Sequence, residues 1–237
     1  MKSKSFRFKV IIFSILTAIA VCILVNASIK NKNTVKMNNQ AEIIINKEKE
    51  LKKQQEKEKE IKKQQQTKLQ KERLEKTWKL GYDQFFEKKY IQAIETERQV
   101  IKEDSTFYKA YAVEGIALAY SGNFKEGMAQ IDKSLKLNPN YGYARFNKAL
   151  ANELYEYYDE AIIWYKKDLE IEKFEWSYYG IASIYGRKGD IKNTIYYLKL
   201  AIAINPTIKA VAKDEEDFNN VRKYKDFKEL IDNTENQ

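Results

Sequence analysis

The feature that most constrains this 237-residue chain is a recurrence close to every 34 residues. Leu80-Gly81, Glu114-Gly115, Lys148-Ala149 and Ile181-Ala182 fall into one slot, spaced by 34, 34 and 33 residues. Tyr90, Phe124, Tyr158 and Ile191 fill a second slot. Ala93, Gly127, Ala161 and Thr194 fill a third, mostly with small residues. Pro139 and Pro206 share a fourth slot, 67 residues apart, and Ser105 stands in the same place one repeat earlier. A period of this length predicts stacked helical hairpins, each burying its apolar face against its neighbours. Two antiparallel helices approach closely only where side chains are small, so the first and third slots are expected to face each other. Ser121-Gly122-Asn123 and Arg187-Lys188-Gly189-Asp190 read as turns between paired helices. Asn138-Pro139-Asn140 and Asn205-Pro206 read as stops, because proline cannot continue a helix.

This pattern resembles the tetratricopeptide repeat family. Members of that family carry a small residue in helix A, Tyr or Phe before helix B, Ala within helix B and Pro after it. The resemblance covers residues 74–206 and implies four repeats in an all-α superhelix, an α-solenoid, of the membrane-anchored bacterial type. Three departures stand out. Ser105 replaces the first Pro, Asp168 sits where helix B usually carries Ala, and the exit loop Lys173-Phe174-Glu175 is one residue short. After Pro206, Ile208 to Val211 begin another helix, and the run Asp214-Glu215-Glu216-Asp217 interrupts its apolar face. Phe218, Val221, Tyr224, Phe227, Leu230 and Ile231 resume it, so residues 207–237 read as capping helices that keep a solenoid soluble.

In the family, helix A residues line a concave groove that takes a peptide. Carried over by slot, the resemblance implies Trp78, Tyr82 and Phe85 in the first repeat, and Ala112 and Ile116 in the second. It implies Phe146, Leu150 and Glu153 in the third, and Tyr179 and Ser183 in the fourth, with Tyr120, Tyr143, Trp176 and Arg187 beside them. Such an aromatic surface suits an extended or helical peptide. Members that bind chaperone tails clamp a terminal carboxylate with Lys and Asn. Here those slots hold Trp78, Tyr82, Ala112 and Ile116, so that activity is not implied.

The charge of +9 divides unevenly along the chain: +4 over residues 1–9, +7 over 10–77 and −2 over 78–237. The repeats therefore lack the field that attracts a phosphate backbone, and no nucleic-acid partner is expected. Residues 1–9 form a basic tail. Val10 to Val25 is an uninterrupted apolar run broken only by Ser14 and Thr17, and residues 10–28 read as a transmembrane signal anchor. The basic flank favours an N-terminus inside and repeats outside the cytoplasm, on a single-pass protein of the cell membrane. The alternative is export after cleavage of a signal peptide at Ala27. Cys22 reads as a small hydrophobe within the apolar segment. Residues 29–77 are a Lys/Glu/Gln-rich helical stalk containing the tandem KEKELKKQQ and KEKEIKKQQ. Its apolar residues Leu51, Ile61, Leu69 and Leu74 do not hold a heptad, which argues against a stable coiled coil.

No His is present and Cys22 is the only Cys, which removes His-based catalysis and Cys-rich metal sites. The sequence has no nucleotide loop, no Gly-x-Ser-x-Gly and no HExxH. The expectation is a non-enzyme without cofactor or metal, tethered to a membrane and binding a protein or peptide in its groove. The rival expectation is a structural spacer of a cell-surface assembly with no defined ligand.

Overall fold

The computed structural model describes residues 2–232, and every regular element among them is helical. Helix α1 covers Lys2–Phe86. The next four are α2 (Tyr90–Glu103), α3 (Tyr108–Tyr120), α4 (Phe124–Leu137) and α5 (Gly142–Leu154). Then come α6 (Tyr158–Leu169), α7 (Glu175–Arg187) and α8 (Ile191–Ile204). The chain closes with α9 (Ile208–Asp214), a 3-10 turn at Glu216–Phe218 and α10 (Lys225–Asp232). It divides into two units, one through Leu69 and one from Gln70 onward.

The first unit is helical because Lys, Glu, Gln, Leu and Ile favour helix and neither Gly nor Pro occurs before Gly81. Its apolar run is exposed from Val10 to Val25. The two hydroxyls in that run bond back along the helix, Ser14 Oγ to the Val10 carbonyl and Thr17 Oγ1 to the Ser14 carbonyl, both at 2.9 Å. No side-chain hydroxyl donor in the run is therefore left to water. The segment has the length and composition to cross a membrane or to serve as a signal sequence.

In the second unit consecutive helices pack in pairs and each pair packs on the next. The period read from sequence sets the depth of each position. Ala93, Gly127, Ala161 and Thr194 are all buried. The tightest approach joins α3 to α4. A Cβ at Gly115 would lie 2.7 Å from the Gly127 carbonyl oxygen, and one at Gly127 would lie 2.5 Å from the Gly115 oxygen. Neither position admits a side chain. The first hairpin differs from expectation, because Gly81 backs onto the carboxyl group of Glu97 rather than onto Ala93.

Glu97 belongs to a slot the sequence reading passed over. The same spacing carries it onto Ile131, Tyr165 and Leu198, and all four are buried to within 1 % of completely. Both Glu97 carboxyl oxygens lack a hydrogen-bond partner among the described residues. Burial, and then the charge of Glu114, push its pKa up to about 10, so the group sits in the core as a neutral acid.

The helix exits explain why the first repeat tolerates Ser105. Asp104, Asn138 and Asn205 share one slot, and each side-chain oxygen accepts the backbone N–H two residues on, at 2.9, 3.2 and 3.1 Å. This side-chain turn ends each helix whether or not Pro follows. The third exit lacks it. There the buried Asp168 accepts a 2.6 Å hydrogen bond from Ser177 Oγ, tying α6 to α7 across the short loop. Burial pushes the Asp168 carboxyl up to about 6. At the far end Phe218, Val221 and Phe227 cover Leu198, Ala201, Ile208 and Ala212, closing the last apolar face.

The turn inside each hairpin requires positive φ at one slot. Gly122 and Gly189 supply it at 93° and 72°, while Lys88 and Glu156 adopt it at 60° and 64° against the clash of their own Cβ. Lys88→Gly and Glu156→Gly are each expected to stabilise the protein by about 0.5–1 kcal/mol in denaturant melts. Gly122→Lys is expected to destabilise it; stabilisation by Gly122→Lys would contradict this account of the turn.

Glu97 generates a pH dependence. Below 4.5 the acid is protonated in both folded and unfolded chains, and its stabilising share is complete. Between 4.5 and about 10 the folded chain keeps a proton that the unfolded chain releases, so stability falls as pH rises through that window. Glu97→Met is expected to remove this component of the slope and to raise stability at neutral pH by about 1–4 kcal/mol. An unchanged slope in melts across pH would show that Glu97 titrates normally.

Candidate functional site

A groove of about 750 Å³ runs along the second unit. Its aromatic wall is built from α1 residues Tyr82, Phe85 and Phe86, from Tyr90 and Tyr120, and from Tyr143 and Phe146 of α5. Phe174, Trp176 and Tyr179 continue it at the start of α7. The rings are laid edge to face or tilted in a chain. Tyr82 lies 5.7 Å from Trp78 and 5.5 Å from Tyr143, and Phe85 lies 5.5 Å from Tyr120. Phe146 meets Phe174 at 5.1 Å, and Trp176 meets Tyr179 at 5.5 Å. Such packing fixes the rings and leaves a stiff apolar surface.

Eleven of the residues carried over from the family pattern line this groove: Tyr82, Phe85, Tyr120, Tyr143, Phe146, Leu150, Glu153, Trp176, Tyr179, Ser183 and Arg187. Three do not. Ala112 and Ile116 have no exposed surface. Helix α3 is enclosed by α2, α4 and α5, and every residue from Ala110 to Ala119 is buried, so only Tyr120 at its C-terminal end reaches the groove. These two belong to the core and are corrected here as groove positions. Trp78 packs against the same core under the Lys109 ammonium, which sits 4.7 Å from its ring centroid.

One end of the groove is charged, and two glycines shape it. The Tyr165 ring lies against Gly180, where a Cβ would collide with its hydroxyl at 2.7 Å. That placement lets Tyr165 Oη donate to Glu153 Oε2 at 2.6 Å. Gly186 lets the 3-10 turn cross α7, since a Cβ there would meet the Asp217 carbonyl oxygen at 2.8 Å. Asp217 is thereby delivered to Arg187, whose Nε and Nη2 donate to its two carboxylate oxygens at 2.5 and 2.8 Å. Arg187 Nη2 also lies 3.5 Å from Glu153 Oε1. Ser183 Oγ donates to Glu153 Oε1 at 3.2 Å and contacts Asp217 as well. Burial raises the Glu153 pKa, while Tyr165, Arg187 and Ser183 pull it down.

Sequence reading missed this arrangement at Asp217 and Glu215. Both fell within the acidic run taken as a solvent-facing cap. Asp214 and Glu216 are exposed, but Glu215 and Asp217 are half-buried and line the groove. The alternation follows from the extended backbone at Glu215 (φ −68°, ψ 125°) leading into a tight turn. A helical reading of the run hides it. The unusual Gly at 186, next to Arg187, was the available signal. Among the described residues no cluster of His, Cys, Asp and Glu could hold a metal ion.

Stacked helical hairpins of this period define the tetratricopeptide class of fold, and comparison with solved structures agrees. The structure is similar to TTC0263, a thermophilic tetratricopeptide repeat protein of Thermus thermophilus, with a TM-score of 0.51 and 17% identity. That match covers 55% of this chain and 73% of the other. It is also similar to PilW, described as a widely conserved type IV pilus biogenesis factor, with a TM-score of 0.52 and 14% identity over 67% of this chain and 78% of the other. At those identities the likeness is one of fold. No family model matches the chain. Over 73 residues, 31% of this chain, it is 33% identical to the uncharacterized protein MJ0572 of Methanocaldococcus jannaschii and spans 80% of it. The chain belongs to the same family as that archaeal protein.

Arg187 is the hub of the charged end. Arg187→Ala is expected to cost about 2 kcal/mol in chemical denaturation, because Glu153 stays buried and Asp217 loses a two-pronged partner. Arg187→Lys is expected to recover only part of the loss, since an ammonium cannot make the forked contact. Full stability in Arg187→Ala would show that the network contributes nothing net.

Proposed function

We propose that this protein is a non-catalytic interaction module, held to a membrane by residues 10–28, whose groove takes a peptide segment of a protein partner. The observation that carries the reading is the groove itself: about 750 Å³ walled by rigid aromatic rings on stacked hairpins. Rings of this kind supply large contact area with little side-chain freedom to lose on binding. The membrane part is supported by an apolar run that is exposed throughout and whose hydroxyls are satisfied within the helix. The basic residues before it favour the repeats lying outside the cytoplasm.

The test uses full-length protein in its membrane, with a photo-crosslinking residue placed at Leu150 in the groove or at the exposed Glu160 on α6. A partner adduct is expected from position 150 and not from 160, and it is expected to disappear in a Phe146→Ala variant. Equal adducts from both positions would set the groove aside in favour of a spacer role. The protein is also expected to resist alkaline carbonate extraction, and release by it would remove the tether.

A further inference from the structure

The groove is electrically lopsided. At one end stands Lys88, in the turn after α1; at the other stand Glu153, Glu215 and Asp217 against the single cation Arg187. Asp217 spends both carboxylate oxygens on Arg187, and Glu153 is met by Tyr165, Ser183 and Arg187. The carboxylate of Glu215 has no ion pair or hydrogen bond among the described residues; only its backbone carbonyl is engaged, by Arg222 at 2.6 Å. It is half-buried and held at the groove wall by its extended backbone. Beside it, the Tyr179 hydroxyl is buried without a hydrogen-bond partner. Burial first, and then the charges of Glu215, Asp217 and Glu153, push the Tyr179 phenol well above its ordinary pKa, so the three acids act on that hydroxyl together. The adjoining surface is the Trp176–Tyr179 ring pair.

We propose that the groove selects a peptide bearing a Lys or Arg side chain, seated with its charged head between Glu215 and the Tyr179 hydroxyl. This deepens the reading of the groove as a peptide site and rests on it. The alkyl stem of such a residue lies along the Tyr179 and Trp176 rings, and its N–H groups donate to the Glu215 carboxylate and to the phenol oxygen. Both groups lack a partner among the described residues. Ring faces attract the cation further. An acidic side chain in the same place can accept from the phenol O–H but meets a net negative wall and leaves Glu215 unpaired, so rejection is built in as well as attraction.

Full-length protein in detergent micelles is applied to an array of ten-residue peptides randomised at every position. Peptides retained by the wild type are expected to carry Lys or Arg about tenfold more often than Asp or Glu. Glu215→Gln keeps the shape of the side chain and breaks no internal contact. It is expected to lower that preference to about threefold or less while leaving retention of uncharged aromatic peptides unchanged. Enrichment of acidic peptides would overturn the proposal, as would a Lys/Arg preference that survives Glu215→Gln. Retention indifferent to charge would overturn it while leaving the groove as a peptide site. Retention no greater than in a groove-blocking Leu150→Glu variant would remove both readings.

Discussion

The repeat unit depends on one close contact, the approach of the first helix of a hairpin to the second where a side chain is missing or small. It is tightest between Gly115 and Gly127, where each backbone oxygen occupies the space a side chain would need. Backbones that near bring the flanking side chains of both helices into one layer. Ile116, Ala119 and Ile131 then close into a continuous core. The hairpin cannot bury all of its apolar surface alone, so it stacks. The groove follows from that stacking, because α1, α5 and α7 present larger side chains side by side, joined by Tyr120 from the end of α3. A bulky residue at the small slot would separate the helices and with them the walls of the groove.

This dependence explains what could be read in advance. The period was visible because close packing admits few residue types, and Gly, Ala and Thr stand out against a chain rich in Lys and Glu. Seven of the residues lining the groove come from slots of the same alignment, with Tyr120, Tyr143, Trp176 and Arg187 beside them. The failures at Ala112 and Ile116 show the limit of that logic. Slot alone does not say whether neighbours leave a helix face open, and α3 is flanked on three sides. Small side chains along it mark a helix crowded from every direction rather than a wall for a ligand.

Glu97 and the 3-10 turn were illegible for different reasons. A glutamate in a Lys/Glu-rich chain reads as surface, and only its place in the slot of Ile131, Tyr165 and Leu198 marks it as core. The protein accommodates it by leaving the acid protonated rather than by pairing it. The position of Asp217 depends instead on backbone geometry after Asp214 and on the missing side chain at Gly186. No local periodicity encodes a segment that turns back across a helix.

The crossing of that segment over α7 gives the fourth repeat a character the others lack. In the slot of Arg187 the earlier repeats carry Phe86, Tyr120 and Leu154, and in the slot of Gly186 they carry Phe85, Ala119 and Glu153. The first repeat thus contributes aromatic surface at both slots, while the fourth replaces it with a glycine and a guanidinium that recruit the cap. The cap both seals the solenoid, through Phe218 and Phe227, and adds Glu215 and Asp217 to the groove. Stability of the last repeat and the electrostatics of the groove are therefore set by the same few residues. A change that loosens the cap also displaces these carboxylates, so the electrostatics of the groove and local folding at α7 are coupled through Arg187.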